Sequence, residues 1–241
     1  MPGPPTVVLI HGAFADASSW SEVVAELEPD GVAIETPPNP LRGLREDTAA
    51  VVAAVEEIDG PVLLVGHSYG GAVISVASAQ ADNVVGLVYV AAFIPERSEA
   101  LGSINTRFPA TPLVNSLVPN RVLDEDSGLE RLQVTIDPAK FGDVFAADVE
   151  PARLAQMIET QQGTSDNCFM EPASDVGWGS LPSWAIVAGA DRAINPSAER
   201  DMARRAGSTT TEIDGASHAV AVSHPKEVAD VIRSALGSVA D

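Results

Sequence analysis

Residues 62–71 read VLLVGHSYGG, an apolar run that leads directly into a glycine-rich turn with Ser68 at its centre. A serine at the end of a buried strand, with glycine two residues to either side, is the pattern of a nucleophile elbow. The chain there turns sharply from strand into helix, and a Cβ at Gly66 or Gly70 would collide across the turn. The pattern also occurs by chance in glycine-rich loops. We interpret Ser68 as a nucleophile whose Oγ stands above the edge of a sheet.

A second segment near the start of the chain supports this interpretation. The apolar run Thr6–Ile10 ends in His11-Gly12-Ala13. In the strand–elbow–helix arrangement, an oxyanion hole takes one backbone N–H from the residue after the nucleophile and one from the loop after an earlier strand. We therefore predict that the amides of Ala13 and Tyr69 bind the oxyanion. The amide of Tyr69 also lies at a helix N-terminus, which favours negative charge.

Two polar residues late in the chain complete the predicted set. Asp191 follows the strand-like run 184–188, and His218 lies in a glycine-bearing loop after the β-prone segment 209–213. The order serine, acid, histidine is the one that goes with a nucleophile elbow. Each of the three residues comes just after a predicted strand and before a predicted helix. We predict Ser68, Asp191 and His218 to form a catalytic triad.

The other histidines are assigned structural positions. His67 is held inside the elbow and faces away from Ser68, and His11 is expected to brace its loop rather than react. His224 precedes a proline at the start of the last helical pattern, which is typical of a surface or capping residue. His218 is the remaining candidate for the general base.

The acid has competitors along the chain. Asp214 lies too close to His218 in sequence to reach the far side of its ring, and Asp201 falls within a helical pattern. Glu96 and Glu99, which follow the strand ending near residue 92, occupy another place from which a triad acid can be supplied. Asp191 is preferred to all four.

These residues resemble those of a known family. The chain is similar to serine-dependent α/β-hydrolases of the small, cofactor-free esterase type, which include plant methylesterases, hydroxynitrile lyases and bacterial relatives. The segments that carry the resemblance are His11-Gly12-Ala13-Phe14, Ser19-Trp20, Gly66–Gly71, Asp191–Ile194 and Ser217–Val220. The resemblance covers essentially the whole chain. It implies the α/β-hydrolase fold and hydrolysis of carboxylic esters through an acyl-enzyme, without metal or cofactor.

Strand and helix patterns alternate along most of the chain, which predicts a mostly parallel sheet with helices on both faces. The segment 95–182 breaks this alternation, because it lacks long buried-strand runs and is partly helical. We therefore predict a core formed by residues 1–94 and 183–241, with residues 95–182 inserted as a small, mainly helical cap over the nucleophile.

Aromatic residues concentrate in or beside the predicted cap. Aromatic side chains above a nucleophile are typical of an apolar pocket for the acyl or alcohol group of a substrate. At least half of them are expected to form the core of the cap itself. As substrate-binding residues we predict Phe14, Phe93, Phe145 and Trp178.

Charge and composition limit the partners and the location. The net charge of −20 argues against nucleic acid and anionic membranes, because phosphate binding depends on Lys and Arg. The start Met1–Pro5 has no basic segment, and the longest apolar stretch, Val84–Ile94, is too short to span a bilayer. The single cysteine, Cys168, cannot form an internal disulfide. We expect a cytoplasmic monomer or homodimer that acts on a small-molecule ester.

Other activities on the same scaffold stay open. Hydroxynitrile lyases of the family typically carry lysine after the catalytic histidine and threonine in the oxyanion loop, where this chain has Ala219 and Gly12. Perhydrolysis would need only peroxide in place of water. A third alternative is a ligand receptor that keeps the triad, as some relatives do, because one scaffold hosts many functions.

Overall fold

Strands and helices alternate through a computed structural model that describes residues 3–123, 128 and 130–239. The strands in these residues are β1 (Thr6–Ile10), β2 (Ile34–Glu35), β3 (Val62–His67), β4 (Val84–Val90), β5 (Leu117–Leu123), β6 (Glu130–Ile136), β7 (Thr164–Ser165), β8 (Ser183–Ala188) and β9 (Thr209–Ile213). The α-helices are α1 (Ser21–Leu27), α2 (Leu44–Glu56), α3 (Tyr69–Ala77), α4 (Leu101–Asn105), α5 (Phe141–Phe145), α6 (Pro151–Thr160), α7 (Asn167–Met170), α8 (Pro196–Ala206), α9 (Val220–Ser223) and α10 (Pro225–Val239). No helix among the described residues is both long and apolar enough to cross a membrane.

A six-stranded sheet in the order β2-β1-β3-β4-β8-β9 forms the centre of the molecule, and all of its pairs are parallel. Strand β3 is buried along its whole length, as expected for a strand covered by helices on both faces. Helices α2 and α3 pack together beside one face, and α1 and α10 pack together beside the other. The predicted α/β-hydrolase fold is confirmed.

Because all these strands run in the same direction, their carboxyl ends meet at one edge of the sheet. The loop after β1 holds Gly12 and Ala13, and the turn after β3 holds Ser68. The loops after β8 and β9 hold Asp191 and His218. The parallel topology therefore delivers every residue of the predicted triad and oxyanion hole to the same side of the molecule.

The segment between β4 and β8 contains the expected helices, α4 to α7, and also a sheet that the sequence pattern did not predict. Strands β5, β6 and β7 form this second, antiparallel sheet. Residues of β5 are mostly exposed, so its sequence lacks the apolar run that identified the core strands. The division into a core and an inserted cap at 95–182 stays a prediction, and residues 1–2 and 240–241 of that core lie outside the described residues.

Candidate active site

The backbone at Ser68 has the geometry of a strained turn. Its φ of 53° and ψ of −120° lie in a region that non-glycine residues rarely adopt. The amide of Ser68 donates to the carbonyl oxygen of Val90 at 3.1 Å, and its carbonyl accepts from the amide of Phe93 at 3.1 Å. A Cβ added at Gly66 would lie 2.6 Å from the carbonyl carbon of Gly70. The glycine at this position is therefore required by close approach of the backbone, as predicted.

His218 and Asp191 form a buried hydrogen-bonded pair. The Nδ1–H of His218 donates to Oδ2 of Asp191 at 2.5 Å, and both side chains are almost fully buried. The other carboxylate oxygen, Oδ1, accepts from the amides of Ala193 at 2.6 Å and Ile194 at 2.9 Å. Three donors therefore converge on this carboxylate and stabilise its negative charge. With the proton held on Nδ1, Nε2 of the imidazole is left as the proton acceptor.

The third predicted member, Ser68, is connected to this pair through its sequence neighbour His67. Its neighbour His67 has its ring centroid 4.8 Å from that of His218, and His67 Nε2–H donates to the carbonyl oxygen of His218 at 2.9 Å. Within the described residues, the Ser68 hydroxyl forms no hydrogen bond. Catalytic hydrogen bonds are often formed only once a substrate is bound. The hydroxyl is thus free to take part in one.

Two further histidines support the site as neutral side chains. Burial, and then the neighbouring His218, lower the pKa of His67 from 6.5 to about 3. Burial also lowers the pKa of His11, whose Nδ1–H donates to the carbonyl of Gly12 at 3.0 Å while its Nε2 accepts from the amide of Asn39 at 3.3 Å. His67 therefore holds the loop that carries His218, and His11 holds the loop predicted to supply an oxyanion donor.

The loop after β1 packs directly on the turn at Ser68. A Cβ added at Gly12 would lie 2.7 Å from Cβ of Ser68, so only glycine allows this approach. The amide of Ala13 has no hydrogen-bond partner in the described part of the chain. The amide of Tyr69 is the first of helix α3, where no carbonyl of the same helix can accept from it. Both amides are available to a ligand near Ser68.

The four aromatic residues predicted to bind substrate occupy different places. The Phe145 ring lies 4.8 Å from the ring of His218, and Phe14 packs edge-on against Phe145 at 6.4 Å. Phe93 is buried and joined to Ser68 through its backbone amide. The indole N–H of Trp178 donates to the carbonyl of Pro95 at 2.9 Å, two residues beyond Phe93. Their contact with a substrate stays a prediction for all four.

The two glutamates that competed with Asp191 have other partners. Glu99 forms ion pairs with Arg205 and Arg107, each at 2.8 Å, and Glu96 lies 3.4 Å from Arg205. Burial opposes ionisation of Glu99, but these arginines lower its pKa overall. Neither glutamate is paired with His218 in the described residues, whereas Asp191 is. The geometry therefore favours Asp191 as the triad acid.

Two buried acids near the site, Asp47 and Glu199, were not identified from the sequence. Asp47 accepts a hydrogen bond from the Tyr69 hydroxyl at 2.6 Å, and the Phe169 ring lies 6.3 Å from that of Tyr69. Glu199 accepts from the amide of Ala188 at 3.1 Å. Asp47 and Glu199 both lie in the first turn of a helix, where an acid normally stabilises the helix dipole from the surface. The pattern around them therefore carried no signal of burial.

The parallel sheet, the strained serine turn and the buried histidine–aspartate pair at one sheet edge are the features of an α/β-hydrolase. Residues 7–231 match the model of the Alpha/beta hydrolase family, and the chain belongs to that family. The resemblance stated from the sequence is thereby confirmed.

Individual relatives match most of the chain. The chain is 26% identical over 260 residues to Esterase PIR7B of Oryza sativa subsp. japonica, with 93% of each protein covered. It is 29% identical over 248 residues to a pyrethroid hydrolase of Sphingobium wenxiniae, covering 94% of this chain and 85% of that protein. The crystal structure of polyneuridine aldehyde esterase superposes with a TM-score of 0.82 and 17% identity, covering 99% of this chain and 100% of that one.

Proposed function

We propose that the protein is a serine esterase that hydrolyses carboxylic esters of small, mainly apolar molecules through an acyl-enzyme intermediate. The observation that carries this proposal is the 2.5 Å hydrogen bond between His218 and Asp191, buried at the same sheet edge as the strained turn at Ser68. Family membership and relatives named as esterases support the same reaction class.

The mechanism follows from the proton on Nδ1 of His218. Because Asp191 accepts a hydrogen bond from Nδ1–H and keeps the proton on that nitrogen, Nε2 is free to accept the hydroxyl proton of Ser68 as the oxygen attacks the ester carbonyl. The imidazolium that forms is stabilised by the Asp191 carboxylate. It then gives its proton to the leaving alcohol, and water repeats the sequence to release the acid.

The oxyanion of the tetrahedral intermediate is proposed to bind the amides of Ala13 and Tyr69. Each donor of such a pair stabilises the transition state by about 3 kcal/mol. The ring of Phe145 beside His218, with the ring of Phe14 packed against it, supplies an apolar surface, which supports a preference for apolar acyl or alcohol groups. We propose residues 95–182 as the cap that carries much of this surface.

The test is replacement of Ser68 by alanine. The variant is expected to lose ester turnover by about 10⁴-fold or more and to lose labelling by a sulfonyl fluoride, with an unchanged circular dichroism spectrum. A panel of p-nitrophenyl and methyl esters of graded length and aromaticity defines the substrate. The matched control is Ser103→Ala, which removes an exposed hydroxyl in helix α4. Wild-type turnover by Ser68→Ala would refute the assignment of the nucleophile.

A further inference from the structure

Glu199 lies in the first turn of helix α8, but it does not face solvent. Only 3% of the residue is exposed. Its Oε2 accepts a hydrogen bond at 3.1 Å from the amide of Ala188, the last residue of strand β8. The carboxyl group of Glu199 is therefore bound to the end of strand β8, three residues before Asp191 in the sequence, where the loop that carries the proposed triad acid begins.

The second oxygen of Glu199, Oε1, is buried and receives no hydrogen bond from any donor in the described residues. Besides the amide of Ala188, the carboxyl group of Asp191 also lies within hydrogen-bonding reach of the Glu199 side chain. Asp191 in turn contacts His218. Arg200, the next residue on α8, also acts on Glu199 through its positive charge, and its side chain is exposed. Two carboxyl groups thus face each other in a buried site.

Two buried carboxylates in contact cannot both be ionised, so the pair retains a proton at neutral pH. Asp191 accepts from two backbone amides and from His218, whereas Glu199 accepts from one amide. The negative charge is therefore best stabilised on Asp191 and the proton on Glu199. Burial, together with the charge of Asp191, raises the pKa of Glu199 well above its ordinary value of 4.5.

We propose that Glu199 is a positioning residue that works as a neutral carboxylic acid, donating its Oε1–H to the Asp191 carboxylate and holding that carboxylate against His218. This inference rests on the proposed triad. It adds a fourth member to the proposed triad of Ser68, His218 and Asp191, and it ties Asp191 through Glu199 to the backbone of strand β8.

The proton on Glu199 has a consequence at alkaline pH. Once it is lost, the ionised Glu199 repels Asp191 and leaves the histidine less well oriented. Turnover should then decline as pH rises. A glutamine at this position keeps a neutral N–H donor toward Asp191 and a carbonyl oxygen toward the amide of Ala188, but it has no proton to lose.

The experiment compares Glu199→Gln with Glu199→Met on a p-nitrophenyl ester between about pH 5 and about pH 10. Glu199→Gln should stay within about threefold of wild-type kcat at neutral pH and lack the alkaline decline. Glu199→Met, which has no donor, should lose about 10- to 100-fold in kcat with KM little changed. The low-field proton NMR signal of His218 Nδ1–H should persist in the glutamine variant and move or vanish in the methionine variant.

Equal kcat values and NMR signals in the two variants would overturn the proposal, as would an alkaline decline that persists in Glu199→Gln. If Glu199→Met does not fold, the pH profile and NMR signal of Glu199→Gln decide alone. The Ser68→Ala variant separates this inference from the proposed function. If Ser68→Ala is inactive while the Glu199 variants behave alike, only the role of Glu199 is wrong; if Ser68→Ala is active, the triad itself is wrong.

Discussion

Replacement of Gly12 by alanine tests the oxyanion hole through a single methyl group. The added Cβ would lie 2.7 Å from Cβ of Ser68, 3.0 Å from the carbonyl oxygen of His67 and 3.1 Å from its Nδ1. Carbon atoms in ordinary contact are separated by about 3.5–4.0 Å, so the methyl group is about 1 Å too close to Ser68. The neighbours that it meets belong to the strained turn and the buried His67, which have little room to move.

The loop that carries Ala13 must therefore give way. A displacement of about 1 Å takes the amide of Ala13 beyond hydrogen-bonding distance of an oxyanion held by Ser68. Loss of one oxyanion donor lowers kcat by about 10²–10³-fold, which corresponds to about 2.7–4 kcal/mol of transition-state stabilisation. Because the donor acts on charge that develops only in the transition state, KM should change little.

The assay measures kcat and KM for p-nitrophenyl acetate, with active sites counted by titration, and the melting temperature reports on the fold. The matched control is Gly179→Ala, because a Cβ at Gly179 would meet no atom within 4 Å. A Gly12→Ala protein that melts like the wild type and keeps kcat within about threefold of it would contradict the assignment of Ala13.

Two further predictions concern buried polar groups beside the site. Tyr69→Phe removes the donor that lies 2.6 Å from Oδ2 of Asp47 and should destabilise the protein by about 1.5–3 kcal/mol in urea unfolding; a change below about 0.5 kcal/mol would contradict the importance of this bond. Because the pKa of His67 falls from 6.5 to about 3 on folding, wild-type stability should decline as pH drops through that range. His67→Gln, which keeps a donor for the carbonyl of His218, should show a flatter decline in thermal melting; an equally steep one would assign the acid sensitivity to other groups.

The regular elements of the core were predicted closely from the sequence. The β-prone segment 209–213 forms a strand with those bounds, and the last helical pattern, placed at the proline after His224, forms the helix Pro225–Val239. These elements carry strong local signals, namely β-prone runs, helical periodicity and proline at a helix start. Strands β5 and β6 carry no such signal, because β5 is largely exposed, β6 is mostly half-buried, and their pairing with each other defines them.

The predicted site residues also fall into two groups, those whose position follows from the order of the strands and those whose position depends on the inserted segment. Ser68, Asp191 and His218 each follow a strand, so the parallel topology alone brings them to one sheet edge. The relation of Trp178 to Pro95 depends on the path of the insertion, and nothing in its local sequence indicates it.

The sequence by itself therefore determined where the core strands end and which residue types follow them. In a parallel sheet the carboxyl ends of the strands lie at one edge, so residues that follow different strands come together there. Only the tertiary structure decided which side chain each buried acid contacts. Glu199 and Asp47 look like ordinary helix-start acids along the chain, and they become partners of Asp191 and Tyr69 only when α8 and α2 pack on the sheet. Burial removes the water that would otherwise solvate these carboxyl groups, so their protonation and hydrogen bonding are set by neighbours that are distant in sequence.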